Sequence, residues 1–583
     1  MATSILLRTV TELSPAGVAL ASGHVVATLA GPRSDTRALL AVLILGGILL
    51  IGQAAEALQA FFTTVITQTV NGALRHRLRT LAMASGDLRV IEDPAFQDDA
   101  GQAGDLGMHN GRFRSPGAAA VGQVGLLLRM IGGLTAAAIV ARFSVPLAVA
   151  LLTIILMVRV LLRRHWMRLA EINHLGDGRR RRALYWTSLA TEPPAAKELR
   201  VFDLGYWLMR RYQRDEIAGI APTWRMVFRT LRLQTPVIIL SALAATLALG
   251  VPGYAAVYGQ ISSSTLVTCV FAAWAIFGLG TLGSEVFDIE YGGITVRAHD
   301  QLVRRHRHGQ IASPVVAQPA AGERPPVVRF ENVTFRYPGG SRPVLDGLTL
   351  DLRPGAVTAL VGHNGAGKTT LIKLLAGLYR PSAGQITVDG ASLADLDPRA
   401  WRRNLAVLFQ DFVQYPESVH MNVVAGAPEA RDDTSGALTA ISRAGLAELV
   451  EKLPNGLDTP LWSGVPGGVD LSGGQWQRLA LARVLFAVQH GRRIVILDEP
   501  TAHLEPAVEA EFHQQIVAAM PGTTVVLISH RLSTVRHAHN ILLLSDGKIT
   551  EAGDHEQLMA LQCEYARLYR LQAERFVGSA GGK

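Results

Sequence analysis

The sequence predicts an all-α domain of six membrane-spanning helices followed by an α/β domain built around a phosphate-binding loop. Three observations carry this. Apolar residues crowd into the first half of the chain. After residue 326 the texture changes to short, strand-like runs. Residues 361–370 then read VGHNGAGKTT, a glycine-rich loop suited to an anion.

Bulk composition supports the division. Of 583 residues 49% are hydrophobic and only 18% charged, and the mean hydropathy is +0.24. Those values argue against a wholly soluble protein, and the length implies several domains. Cys269 and Cys563 fall in an apolar stretch and in the far C-terminal region, so no disulfide or zinc site is expected.

A membrane-crossing helix needs about 20 mostly apolar residues. Residues 37–62, 121–143, 145–162, 235–259 and 264–283 meet that requirement. The weaker stretch 13–31 resembles a signal peptide. It is read as an uncleaved first helix because His24 interrupts its apolar core and only Arg8 precedes it as a basic residue. Six spans put both termini on one side. The connection 163–232 holds roughly fifteen Lys and Arg, and 67–117 holds Arg75, Arg77, Arg79, Arg89, Arg112 and Arg114. The opposite loops hold little beyond Arg33, Arg37 and Arg142. Basic loops stay in the cytoplasm, so both long connections are expected there. The same rule accounts for the net charge of +9 without nucleic acid, and no basic–aromatic interleaving suggests such a partner. Glu56, Arg129, Glu285 and Asp288 lie in or near the apolar stretches. Interhelical pairing is the ordinary expectation for them, and contact with a transported substrate the functional one.

Residues 304–326 are basic, then Pro/Ala-rich, and read as a linker between a membrane domain (1–303) and a second domain (327–575), with 576–583 as a tail. In the second domain AVTALVG, RRIVILDE and TTVVLIS are continuous β-rich runs, as parallel strands buried on both faces require. Gly362, Gly365, Gly367, Lys368 and Thr369 fit G-x-x-x-x-G-K-[ST] between a strand and a helix. The loop residues Gly362, His363, Asn364, Gly365, Ala366, Gly367, Lys368, Thr369 and Thr370 are therefore expected to cradle nucleotide phosphates. Lys368 would reach the terminal phosphates and Thr369 would offer its hydroxyl to Mg²⁺. Asp498 and Glu499 end a buried strand, where Asp498 suits the metal and Glu499 suits an attacking water. His530 follows another strand and could position that water.

Taken in order, the loop, Gln410, LSGGQ (471–475), Asp498-Glu499 and His530 resemble the ATP-binding cassette family. Six spans ahead of one cassette resemble a half-transporter of the bacterial exporter type. Segments 91–100, 196–212 and 409–419 look like the branch that includes lanthipeptide and multidrug exporters. The resemblance implies an all-α six-helix transmembrane domain followed by an α/β P-loop ATPase cassette. It implies ATP and Mg²⁺ as cofactors, with Glu499, His530, Gln410 and Lys368 catalytic and Thr369, Gln410 and Asp498 around the metal. Tyr337 would stack on adenine. Ser472, Gly473, Gly474 and Gln475 would complete the site of a second half-transporter, so a homodimer is favoured over a heterodimer with a degenerate partner.

It further implies ATP-driven export of a peptide, lipid or amphipathic small molecule across the bacterial cytoplasmic membrane, with the cassette in the cytoplasm. A regulatory membrane ATPase that does not pump is the alternative; a soluble cassette ATPase is disfavoured by the spans. Glu505, Met421 and the segment 463–470 depart from the family pattern. Short helices near Asp93–Asp99 and Ala195–Asp203 are expected to dock on cassettes, and no peptidase domain is expected ahead of the first span.

Overall fold

A computed structural model describes residues 2–30, 35–84, 87–104, 115–174, 177–280, 284–310, 324–500, 520–529 and 531–580. The chain divides into two compact units, Met1–Thr80 with Asp98–Val303 and Leu81–Gln97 with Arg304–Lys583.

The first unit is helical. Its elements are α1 (Ala2–Ala30), α2 (Asp35–Ala84), α5 (Pro116–Ala141), α6 (Val145–His174), α7 (Asp177–Thr191), α8 (Pro193–Val201), α9 (Gly205–Leu233), α10 (Thr235–Val257), α11 (Ser263–Gly280) and α12 (Ser284–Gln310). Between α2 and α5 lie the short helices α3 (Leu88–Glu92) and α4 (Pro94–Gly104). Among the described residues six helices are long and apolar enough to cross a membrane, and they overlap the six stretches expected from the sequence. Small residues let them approach: Ala19, Ala136, Ala137, Ala244 and Ala272 surround Leu151, Ile155, Ile276 and Leu279 in one cluster. Large apolar side chains such as Leu50, Val257 and Trp274 point outward, as lipid-facing positions require.

The second unit is an α/β domain. Its strands are β1 (Val328–Phe335), β2 (Leu345–Leu352), β3 (Val357–Val361), β4 (Ala383–Val388), β5 (Ala391–Ser392), β6 (Leu405–Leu408), β7 (Ile494–Asp498), β8 (Thr524–Ile528), β9 (Asn540–Ser545) and β10 (Lys548–Gly553). A six-stranded sheet runs β10-β9-β3-β8-β7-β6, parallel except at the β10–β9 edge; a second, antiparallel sheet runs β2-β1-β4-β5. The central strands are buried on both faces. In β7, Val495 and Leu497 point into one core and Ile494 and Ile496 into the other. That explains their continuous apolar texture. The helices are α13 (Lys368–Leu375), α14 (Pro398–Arg402), α15 (Val419–Val424), α16 (Thr434–Arg443), α17 (Ala447–Glu451) and α18 (Gly473–Gln489), followed by the C-terminal helix Glu564–Ala580.

Candidate functional site

The parallel order places β3, β8 and β7 side by side, so their C-terminal ends meet at one edge, where such sheets bind ligands. The phosphate loop leaves β3 there and enters α13. Gly362 has φ +152°, and a Cβ on it would lie 2.2 Å from the Leu544 carbonyl oxygen, so only glycine fits. The loop folds around the Lys368 ammonium, which donates to the Gly362 carbonyl at 2.8 Å and the His363 carbonyl at 3.0 Å. Burial pulls the Lys368 pKa down, while Glu499 and Asp498 pull it back up. His363 reaches Glu564 at 3.2 Å. Asn364, Gly365 and Thr369 face solvent and Ala366 is half-buried. Thr370 is buried and shares a 3.1 Å hydrogen bond with the Tyr337 hydroxyl. Tyr337 is half-buried, with its ring against Phe335 and Tyr379 and beneath the Lys373 ammonium.

On β7, Asp498 is 3% exposed and its Oδ2 has no hydrogen-bond partner among the described residues. Burial, with Glu499 adding to it, pushes its carboxyl up to about 6 despite Lys368. A buried carboxylate oxygen without a donor suits a hard cation, which takes oxygen ligands. Glu499 turns away from the strand in the left-handed region, at φ +50°. Its carboxylate accepts from Gln410 Nε2 at 3.4 Å. The structure thus brings Lys368, Gln410, Asp498 and Glu499 to one sheet edge. His530 and Glu505 lie outside the described residues.

The LSGGQ segment caps α18. Ser472 is the N-cap; its Oγ accepts from the Gln475 amide at 3.4 Å, and its amide donates to Gln475 Oε1 at 2.8 Å. This reciprocal capping box holds the helix start open toward solvent, with Ser472 and Gly473 exposed. Met421 is exposed on α15.

Two groupings escaped sequence reasoning. Residues 81–97 belong with the second unit. Within it, Leu88 donates its amide to the Leu378 carbonyl at 2.9 Å and packs on the core. Glu92 accepts a short hydrogen bond from the Tyr379 hydroxyl. The residues that join the second unit's core here are those of α3, just ahead of Asp93–Asp99. The stretch Ala195–Asp203 is mostly α8, in the first unit. Inside the first unit, Glu285 accepts from Arg8 at 2.5 Å and Arg129 at 2.7 Å, and Glu12 lies 3.6 and 3.7 Å from the same arginines. The interhelical expectation for Arg129 and Glu285 holds. The i, i+4 pair Arg8/Glu12 on the first span was the available signal for their partners.

Residues 345–502 match the ABC transporter family model. The chain is 42% identical over 246 residues to an ATP-dependent lipid A-core flippase of Ralstonia nicotianae, covering 42% of this chain and 40% of that protein. It is 35% identical over 249 residues to a mycobactin import ATP-binding/permease protein of Mycobacterium bovis, covering 43% and 42%. These matches span less than half the length of those curated relatives. A solved structure of a bacterial Atm1-family ABC exporter with ATP bound superposes with a TM-score of 0.79 at 22% identity, covering 98% of both chains. Residues 345–502 thus match the ABC transporter family, and the whole chain shares the fold of that exporter structure.

Proposed function

We propose that the chain hydrolyses Mg·ATP at a site shared between two copies and uses the cycle to move an amphipathic substrate out of the cytoplasm, across the cytoplasmic membrane of a bacterium. The observation that carries this reading is the sheet edge. There a buried, donorless Asp498 oxygen, a lysine folded into its own phosphate loop and a Glu499–Gln410 pair sit together, in a chain that also has six membrane-length helices.

Each residue has a stated part. The loop amides and the start of α13 bind the phosphates. Lys368 exchanges two neutral carbonyl partners for phosphate oxygens. Thr369, Asp498 and Gln410 would hold Mg²⁺, which would supply positive charge to offset that of the nucleotide phosphates. Glu499 orients the water and draws off its proton as the oxygen–phosphorus bond forms and ADP leaves. His530, next to that edge in sequence, orients the same water. Tyr337 supports the adenine. Ser472, Gly473, Gly474 and Gln475 offer a helix start to the partner's nucleotide. A homodimer is favoured because one chain carries both halves of the site. The substrate class stays broad: peptide, lipid or amphipathic small molecule. The name of the matched lipid A-core flippase favours a lipid cargo.

Inside-out vesicles test the reading. Labelled cargo should accumulate only with ATP, and Glu499→Gln should abolish accumulation while ATP still binds. ATP turnover without accumulation of any cargo class would favour a regulatory ATPase. Undiminished turnover in Glu499→Gln would refute the site.

A further inference from the structure

The helix that carries the signature segment also grips its own chain's water-positioning residue. Gln477, 7% exposed on the second turn of α18, donates from Nε2 to the Glu499 carbonyl at 3.0 Å. The Glu499 amide donates to the Ile528 carbonyl at 3.0 Å. The backbone of Glu499 is thus pinned on both sides while it holds φ +50°. A non-glycine residue persists in that region only where its surroundings over-determine it.

Further along the same helix, Arg483 holds the chain that leaves Gln410. Its Nε donates to the Asn422 carbonyl at 2.9 Å, and its Nη atoms reach Asn422 Oδ1 at 3.2 Å and the Val413 carbonyl at 3.3 and 3.4 Å. Its guanidinium stacks 4.7 Å from the Tyr415 ring centroid. Asn422 in turn donates to the carbonyls of Tyr415, Glu417 and Ser418. Both arms of the water site, Glu499 and the segment after Gln410, are therefore fastened to one rigid rod. The head of that rod, Ser472 and Gly473, is exposed.

We propose that Gln477 is a positioning residue for Glu499, and that through it α18 couples the nucleotide gripped by its head to the water held in its own chain. The inference rests on the shared-site reading above. A nucleotide on Ser472 fixes the axial position of α18. Gln477 passes that position to the Glu499 carbonyl and so to its carboxylate. Hydrolysis in one chain becomes conditional on closure of the other's site.

The test uses the full chain reconstituted in lipid. Gln477→Met keeps the length and removes the donor; Gln477→Glu is the second variant. Both should lower kcat about 10- to 100-fold, with KM for ATP within about twofold and thermal stability close to native. Ser472→Ala should also lower kcat, and combining it with Gln477→Met should cost much less than the product of the two effects.

Native kcat in either Gln477 variant would overturn the proposal. So would joint loss of stability and nucleotide binding in both variants, which marks a purely structural role. Multiplicative effects of Ser472→Ala and Gln477→Met would also overturn it. An inactive native chain, or an active Glu499→Gln chain, would sink the shared-site reading instead, and is read from those two proteins alone.

Discussion

Replacing Asp498 with asparagine should make the nucleotide-free protein more stable at neutral pH, although it removes a residue assigned to the metal. The Asp498 carboxyl is raised from 3.8 to about 6, mainly because it is buried. A folded-state value above the unfolded one gives stability that is fully present below pH 3.8 and is lost as the pH rises through about 6. With those two values, keeping the group in the folded state costs about 2 kcal/mol at pH 5 and about 3 kcal/mol at pH 8. A carboxamide at this position carries no charge to desolvate and escapes both costs. For a unit of this size each kcal/mol moves the midpoint by about 2–4 °C, so Asp498→Asn should melt about 6–12 °C higher at pH 8 and correspondingly less at pH 5. The assay is thermal unfolding of the full chain in detergent with chelator present, at both pH values. Mg·ATP should then stabilise the native chain more than the variant, since only the native side chain offers a cation a negative charge. A variant less stable than native at pH 8, or one with the same pH dependence, would refute the reasoning.

The remaining predictions concern the two groupings found outside the nucleotide site. Glu285→Gln leaves Arg8 and Arg129 with only the more distant Glu12 carboxylate and should destabilise the membrane unit by about 1.5–3 kcal/mol, read as a lower melting midpoint in lipid nanodiscs. Gly125→Ala should act the same way more weakly, because its Cβ would fall 2.5 Å from Arg8 Cζ and push the guanidinium off Glu285. Tyr379→Phe removes the hydroxyl donated to Glu92 and should loosen α3 by about 1–2 kcal/mol. Hydrogen exchange at the Leu88 amide, which is bonded to Leu378, should then quicken by about tenfold or more, with the rest of the second unit unchanged.

The membrane helices were legible because lipid leaves little choice: a run of about 20 apolar residues is both the sequence signal and the structural solution. The phosphate loop was legible because Gly362 and Lys368 are demanded by local geometry. What the sequence concealed was contact between distant residues. Arg8 and Glu285 are 277 positions apart, and the local pair Arg8/Glu12 marks a charged turn without saying which distant residue meets it. The helix α3 has only five residues, too few for periodicity. Its place in the second unit rests on contacts with distant residues, among them the Leu88 amide and side chain and the Glu92 carboxylate. Gln477 follows the LSGGQ string by two positions, yet its value lies in meeting a carbonyl on another strand, which no spacing rule foretells.

Three features of the nucleotide edge are each unfavourable alone. Asp498 is buried with an oxygen lacking a donor, Lys368 is buried with only neutral carbonyl partners in hydrogen-bond contact, and Glu499 holds a strained backbone angle. Under the proposed function the first two share one remedy. A cation satisfies Asp498, and phosphates give Lys368 anionic partners. The strain at Glu499 stays, held by Gln477 and Ile528, and keeps the carboxylate aimed. Under that reading Mg·ATP would give both groups the partners they lack, while the backbone of Glu499 is already set by its own chain. A site built so would gain little from one half alone: the groups that bind phosphate and the rod that aims Glu499 would answer to different nucleotides, which would tie turnover to the meeting of two chains.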